Sequence, residues 1–257
     1  ESGAESALQG VELIINQDAD FADGTVGCWA NNAGIISGGT FQVPVNNNKT
    51  ISGGTFQGEV YNDSTISGGT FQGGSYNFRG TISNGTFQGI LRNDSGTISG
   101  GTFENTVEVS AAAGTDATIE GGTFEKRVTL MRSDTPITIS NGLFNGEVVA
   151  KECYAPLSIS GGLFTKDVDV SNIPDPNKLS ITGGYFVNKP TVPEGSVSFT
   201  SVSDQAGRTF QVPVNGGFSE SYTSLYVPSG SSEQPNTITV KTNTKLLYYL
   251  ADGEQFP

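Results

Sequence analysis

The sequence predicts an all-β protein: a right-handed, single-stranded parallel β-helix of three-walled coils, 15 to 22 residues each, followed by a small C-terminal β module. Three observations carry this expectation. A unit close to "TISGGTFQGEV", Thr50 to Val60, is written nine times. Its apolar positions fall in three columns that keep register from unit to unit, and each is flanked by polar residues, the period-2 pattern of a strand with one buried face.

The columns are read off directly. The phenylalanines are Phe41, Phe56, Phe71, Phe87, Phe103, Phe124, Phe144, Phe164 and Phe186, spaced 15, 15, 16, 16, 21, 20, 20 and 22. Five residues before each stands an isoleucine: Ile36, Ile51, Ile66, Ile82, Ile98, Ile119, Ile139, Ile159 and Ile181. Four residues after each runs a third apolar column, Val45, Val60, Leu91, Val107, Val128, Val148 and Val168, interrupted by Ser75 and Pro190. Three inward columns imply three walls. Between the first two lies Gly-Gly, or Asn-Gly at Asn84 and Asn141, pairs suited to the positive φ of a sharp corner. Right-handed winding follows from the handedness of parallel crossovers.

The corner after the third wall changes midway. Six residues past phenylalanine the short coils carry Asn47, Asn62, Asn77 and Asn93, and the long coils Val109, Leu130, Ala150 and Val170. The asparagines are expected to adopt a left-handed conformation and to bond their neighbours above and below. The hydrophobes must point inward, so the rod is expected to widen near Phe103, with Leu157 and Leu179 on the longer approach to the next isoleucine.

Three segments follow. Residues 1–30 read as an N-terminal cap, made of 1–14, with a degenerate first coil in which Ile15 and Phe21 echo the Ile and Phe columns. Residues 31–190 form the parallel β-helix of about nine coils. Residues 191–257 contain the strand-like runs "SVSFTSV", "RTFQVPV", "SLYV", "NTITVK" and "KLLYYLA", read as a β cap or small β-sandwich-like module.

Composition narrows the chemistry. Lys+Arg 13 against Asp+Glu 26 gives a net charge of −13, without the basic patches that nucleic acid or anionic lipid requires. No apolar run is long enough to span a membrane. A chain opening on Glu1 rather than Met fits a mature protein whose signal peptide has been removed, and a secreted or cell-surface location is expected. With no histidine and two cysteines, Cys28 and Cys153, zinc, haem and Cys/His nucleophile chemistry have no ligand set, so neither metal nor cofactor is expected. Seven coil steps separate the two cysteines, roughly 34 Å at the strand spacing, so both should be free thiols. "NDS" at Asn62 and Asn93 matches the glycosylation triplet, a pattern that Asn-rich turns also produce by chance.

From Ile36 to Phe186 the "ISGGTF" units resemble repeats of surface proteins from gut-dwelling anaerobic bacteria, and the coil pattern is similar to that of the pectin-lyase-like β-helix superfamily. That resemblance implies a rigid extracellular rod. The superfamily includes polysaccharide lyases, hydrolases, tailspikes and adhesins, and the short coils here favour the non-catalytic members.

The first expectation is therefore a non-catalytic secreted or surface scaffold that binds a glycan or a host or bacterial surface component. Its candidate ligand residues are Tyr61, Tyr76, Arg92 and Glu108, successive members of the one outward column that is not monotonous. A carbohydrate-active enzyme is the alternative. Its carboxylates would be Glu104 and Glu125, one residue past their phenylalanines on adjacent coils, with Glu120 on the neighbouring wall, near the ~5 to 5.5 Å separation of retaining glycosidases. A lesser alternative is ice or lattice binding by the Thr50, Thr65, Thr81, Thr97, Thr118 and Thr138 column beside Ser52, Ser67, Ser83 and Ser99.

Overall fold

The computed structural model describes residues 12–214 apart from 112, 113, 132, 152 and 205. The chain winds as a parallel β-solenoid of about ten turns with three walls: a ten-stranded isoleucine wall, a ten-stranded valine wall, and a phenylalanine wall of twelve strands. The strands are two to five residues long, and among the described residues the helical element is a single 3₁₀ turn, Pro176–Lys178. Short strands follow from the corners. A glycine at positive φ, from 82° at Gly39 to 128° at Gly142, turns the chain from the isoleucine wall into the phenylalanine wall in every coil. Side chains with a Cβ rarely adopt that conformation, which fixes the second residue of each pair and leaves the first open to Asn84 or Asn141.

The three inward columns are those the sequence predicts. Like residues pair across neighbouring coils, as in Ile51↔Ile66, Phe56↔Phe71 and Val45↔Val60. The nine phenylalanines are at most 1% exposed and stack with centroids 4.4 to 5.0 Å apart and planes within 20° of parallel. That spacing matches the separation of hydrogen-bonded strands, so ring stacking and backbone pairing ask for the same coil rise. Ser75 interrupts the third column between Val60 and Leu91, and its hydroxyl is buried without a hydrogen-bond partner.

The asparagines do not take the left-handed conformation. Asn47, Asn62, Asn77 and Asn93 lie in extended strands with their side chains buried in the rod. Asn32 begins the series, and each amide donates to the next side-chain oxygen at 2.6 to 2.7 Å. The second N–H bonds a backbone carbonyl in the corner leading to the isoleucine wall, Ser64 from Asn62, Gly80 from Asn77 and Gly96 from Asn93, or at the start of the next coil's isoleucine-wall strand, Thr50 from Asn32 and Thr65 from Asn47. This double bonding closes the corner in few residues. Left-handed backbone appears instead at Arg79 and Ser95, φ 63° and 61°, the extra residue of each 16-residue coil. Burial also removes Asn62 and Asn93 as glycan acceptors in the folded chain.

Val109 stands directly above Asn93 and starts the apolar continuation of the same column, through Leu130 and Ala150. None of these can bond the corner backbone, so the chain travels further and fills the added space with Ala111, Cys153, Ile137, Leu157 and Ile173. The isoleucine-wall strands accordingly lengthen from Thr-Ile pairs to three residues, as in Ala117–Ile119 and Leu157–Ile159. The rod widens after Phe103 as predicted.

The ends depart from the sequence reading. Phe21 pairs with Ile36, Val26 with Phe41, and Ile15 with Asn32, so the first coil is displaced by one wall from the predicted echo. The displacement lets Phe21 tip its ring at 59° onto Phe41, covering the end of the aromatic stack. Glu12–Ile15 is a strand of the valine wall rather than part of a cap, and the rest of the predicted cap, 1–11, lies outside the described residues. At the other end Phe199–Ser203 and Thr209–Pro213 form an antiparallel pair, and the second strand joins Tyr185–Phe186 antiparallel, extending the phenylalanine wall. Phe199 meets Phe186 edge-on at 83°. The runs "SLYV", "NTITVK" and "KLLYYLA" lie outside the described residues.

Both cysteines are free, Cys28 half-buried and Cys153 buried. Burial pushes the Cys153 thiol up to about 11, against a smaller opposing effect of the Lys151 backbone hydrogen bond. A thiol-specific reagent at mildly alkaline pH should therefore label Cys28 and spare Cys153 until the protein is unfolded. Equal labelling rates in the native state, or a Cys28–Cys153 linked peptide in unreduced protein, would contradict the coil assignment. Replacing Phe71 by Ala should cost about 3 to 5 kcal/mol in denaturant unfolding, and Thr70→Ala beside it little. Ser75→Val, which continues the valine column and removes the unpaired hydroxyl, should instead stabilise by about 1 kcal/mol.

Candidate functional site

The outer face of the isoleucine wall is largely repetitive, and so is that of the phenylalanine wall as far as Thr123, after which Leu143, Leu163 and Tyr185 follow in the same column. On the isoleucine wall the threonine column is in register, Thr50↔Thr65↔Thr81↔Thr97. The serine hydroxyls beside it point back to the rod, Ser52, Ser67, Ser83 and Ser99 each donating to the isoleucine carbonyl of the preceding coil at 3.3 to 3.4 Å. A second threonine column, Thr25 to Thr123, runs up the phenylalanine wall.

The valine wall is different. Its outward column runs Asn46, Tyr61, Tyr76, Arg92, Glu108, all in register, so the four predicted ligand residues are brought together. The tyrosine rings stack at 5.0 Å with planes 13° apart, too close for rings lying side by side in one plane, so their faces turn along the rod axis. Arg92 covers the far side of Tyr76, its guanidinium carbon 5.3 Å from the ring centroid. Nη1 donates to the Tyr76 hydroxyl at 2.9 Å and Nε to Glu108 at 2.8 Å. Glu108 also holds the Arg92 pKa above its ordinary value. The ion pair is half-exposed and adds little stability; its effect is to hold one geometry.

Two aromatic residues join this column that the sequence reading did not nominate. Trp29, 42% exposed, stacks on Tyr61 at 6.3 Å, and Phe78, 37% exposed, lies beside Tyr76 at 6.0 Å. Phe78 was within reach of period-2 logic, being two residues beyond Tyr76 on one strand. Trp29 was hidden by the displaced first coil: only with Val26 in the phenylalanine column does it fall at the place of Glu59 and Ile90. The Tyr61 hydroxyl donates to Glu59 at 2.5 Å. That bond, then burial and the Glu59 charge, raise the Tyr61 pKa to about 12.

The predicted carboxylates separate. Glu104 and Glu125 stand on adjacent coils and line an open hollow of about 550 Å³ at the edge between the phenylalanine and valine walls, together with Lys126, Arg127, Glu147 and Lys166. Both oxygens of Glu125 are 3.2 Å from the Asn145 amide. Glu120 stands one residue past Ile119 on the isoleucine wall and does not line the hollow. Among the described residues no cluster of acidic, cysteine or histidine side chains is placed to hold a metal ion.

Fold and surface define a three-walled parallel β-solenoid with repetitive polar faces, an aromatic ridge on one wall and a charged hollow at its edge. Comparisons with protein-family models, with curated proteins and with solved structures find no match to this chain.

Because the folded pKa of Tyr61 exceeds the ordinary value of about 10, its contribution to stability is complete below pH 10 and is lost as pH rises through about 12. An ultraviolet difference titration should show a late-ionising tyrosine component that moves toward pH 10 in Glu59→Gln. An unchanged titration in that variant would mean that Glu59 is not the cause.

Proposed function

We propose that the protein is a non-catalytic, extracellular or cell-surface β-helix that binds a glycan of a host or bacterial surface along its valine wall, as the likeness of its "ISGGTF" units to surface-protein repeats of gut anaerobic bacteria suggests. The observation that carries this reading is the ridge from Trp29 to Glu108. On it exposed aromatic groups, hydroxyls and a fixed ion pair stand together in one column. Tyr61 and Tyr76 give their faces to one another, so a sugar meets their edges and hydroxyls, and the exposed rings of Trp29 and Phe78 supply apolar contact. Each ridge group is already held by a neighbour, so little freedom is lost on binding.

A glycan array, run beside a reducing-sugar assay, tests this. The parent should bind without turnover. The double variants Tyr61→Ala, Tyr76→Ala and Trp29→Ala, Phe78→Ala should each lose at least about tenfold in affinity, a change of ~1.4 kcal/mol, while keeping β-sheet circular dichroism. Undiminished binding by both variants would remove the ridge as the site.

A further inference from the structure

The hollow at the edge of the phenylalanine and valine walls is distinguished by which of its charges the protein leaves uncompensated. Lys126, Gly146 and Lys166 occupy the same place on three successive coils, two residues past Phe124, Phe144 and Phe164. A side chain at Gly146 would run into the Lys126 carbonyl group, so this place holds a bare floor between two lysine rims. Arg127 is neutralised by Glu147 at 2.5 Å, and Glu125 is bonded by Asn145. Among the described residues, no ion pair or hydrogen bond engages the ammonium groups of Lys126 and Lys166 or the carboxylate of Glu104.

Charge is also ordered along the hollow. Glu104 and Glu125 lie toward the N-terminal end, Lys126 follows Glu125 on the same coil and Lys166 stands two coils further on, while Glu147 beside Gly146 is turned to Arg127. Two ammonium groups facing one slot match a group of about −1.5 to −2 charge with several acceptor oxygens, which a phosphate monoester supplies and a single carboxylate does not. The adjoining carboxylates and the net charge of −13 oppose a polyanion and favour a ligand that carries its own cation. A hollow of about 550 Å³ has room for a sugar.

We propose that this hollow binds a zwitterionic sugar phosphate, with the phosphate monoester over Gly146 between Lys126 and Lys166 and a primary ammonium against Glu104 and Glu125. The site is independent of the aromatic ridge and of the function assigned to it.

Titration calorimetry of the full chain with glucosamine-6-phosphate, glucose-6-phosphate, glucosamine and inorganic phosphate tests both ends. Glucosamine-6-phosphate should bind saturably, and each of the other three at least about tenfold more weakly. Lys166→Ala should weaken both sugar phosphates. Glu104→Gln should erase the preference for glucosamine-6-phosphate over glucose-6-phosphate while leaving the latter's affinity unchanged or improved. These side chains are exposed, so circular dichroism melting curves should match the parent. The Trp29→Ala, Phe78→Ala variant should bind the sugar phosphate normally, which separates this site from the ridge. Absence of saturable binding by glucosamine-6-phosphate, equal binding of glucose-6-phosphate, or equal binding of inorganic phosphate would each overturn the proposal.

Discussion

Nine phenylalanine rings stacked face to face set the constraint on which the rest of the molecule depends: whatever one coil presents, the next must accept at a rise of 4.4 to 5.0 Å. Parallel strands impose nearly the same rise, so the aromatic stack and the backbone ladder reinforce each other. A residue that stacks well on itself is therefore favoured at every position, inside or out. Isoleucine, valine and asparagine fill the other inward columns for this reason, and threonine and serine repeat outside. The stack also needs ends. Phe21 and Phe199 supply them by presenting tilted or edge-on rings, which stop the face-to-face pattern instead of offering it a further neighbour.

The inward columns were legible because each position reports on one face of one strand, and the alternation survives in every unit. The positive-φ corners were legible because glycine has few other reasons to recur at a fixed place. The asparagine conformation was not. The residue type suits both a left-handed corner and an inward amide ladder, and only the accounting of both N–H groups separates them. The first coil failed for a different reason. Phe21 looked like a member of the phenylalanine column by type, but its place is fixed by pairing with Ile36, and an end residue answers to the need for closure more than to the repeat.

The same displacement bears on the candidate site. Tyr61, Tyr76, Arg92 and Glu108 came from the regular part of the rod, where counting from phenylalanine is reliable. Trp29 belongs to the irregular first coil, and its contact with Tyr61 spans a coil that carries the small Asn46 between them. The hollow is half legible: the repeat makes Glu104 and Glu125 neighbours, whereas the open place at Gly146 is defined by a side chain that is missing, which residue chemistry does not signal.

The asparagine ladder has a direction, since every amide from Asn32 to Asn77 hands its proton toward the C-terminal end, and Asn93 meets Val109 there. A fifteen-residue unit duplicated between Ile51 and Ile66 would find an asparagine donor below and an asparagine acceptor above, with matching phenylalanine, isoleucine and threonine on both faces. Gene recombination can thus lengthen or shorten the narrow segment in whole coils without rebuilding any interface. The boundary at Asn93 and Val109 has no such freedom, because its two sides differ. The rod's reach is adjustable in lineage history on one side of that seam, while the wide segment, with its hollow, travels as an unchanged passenger.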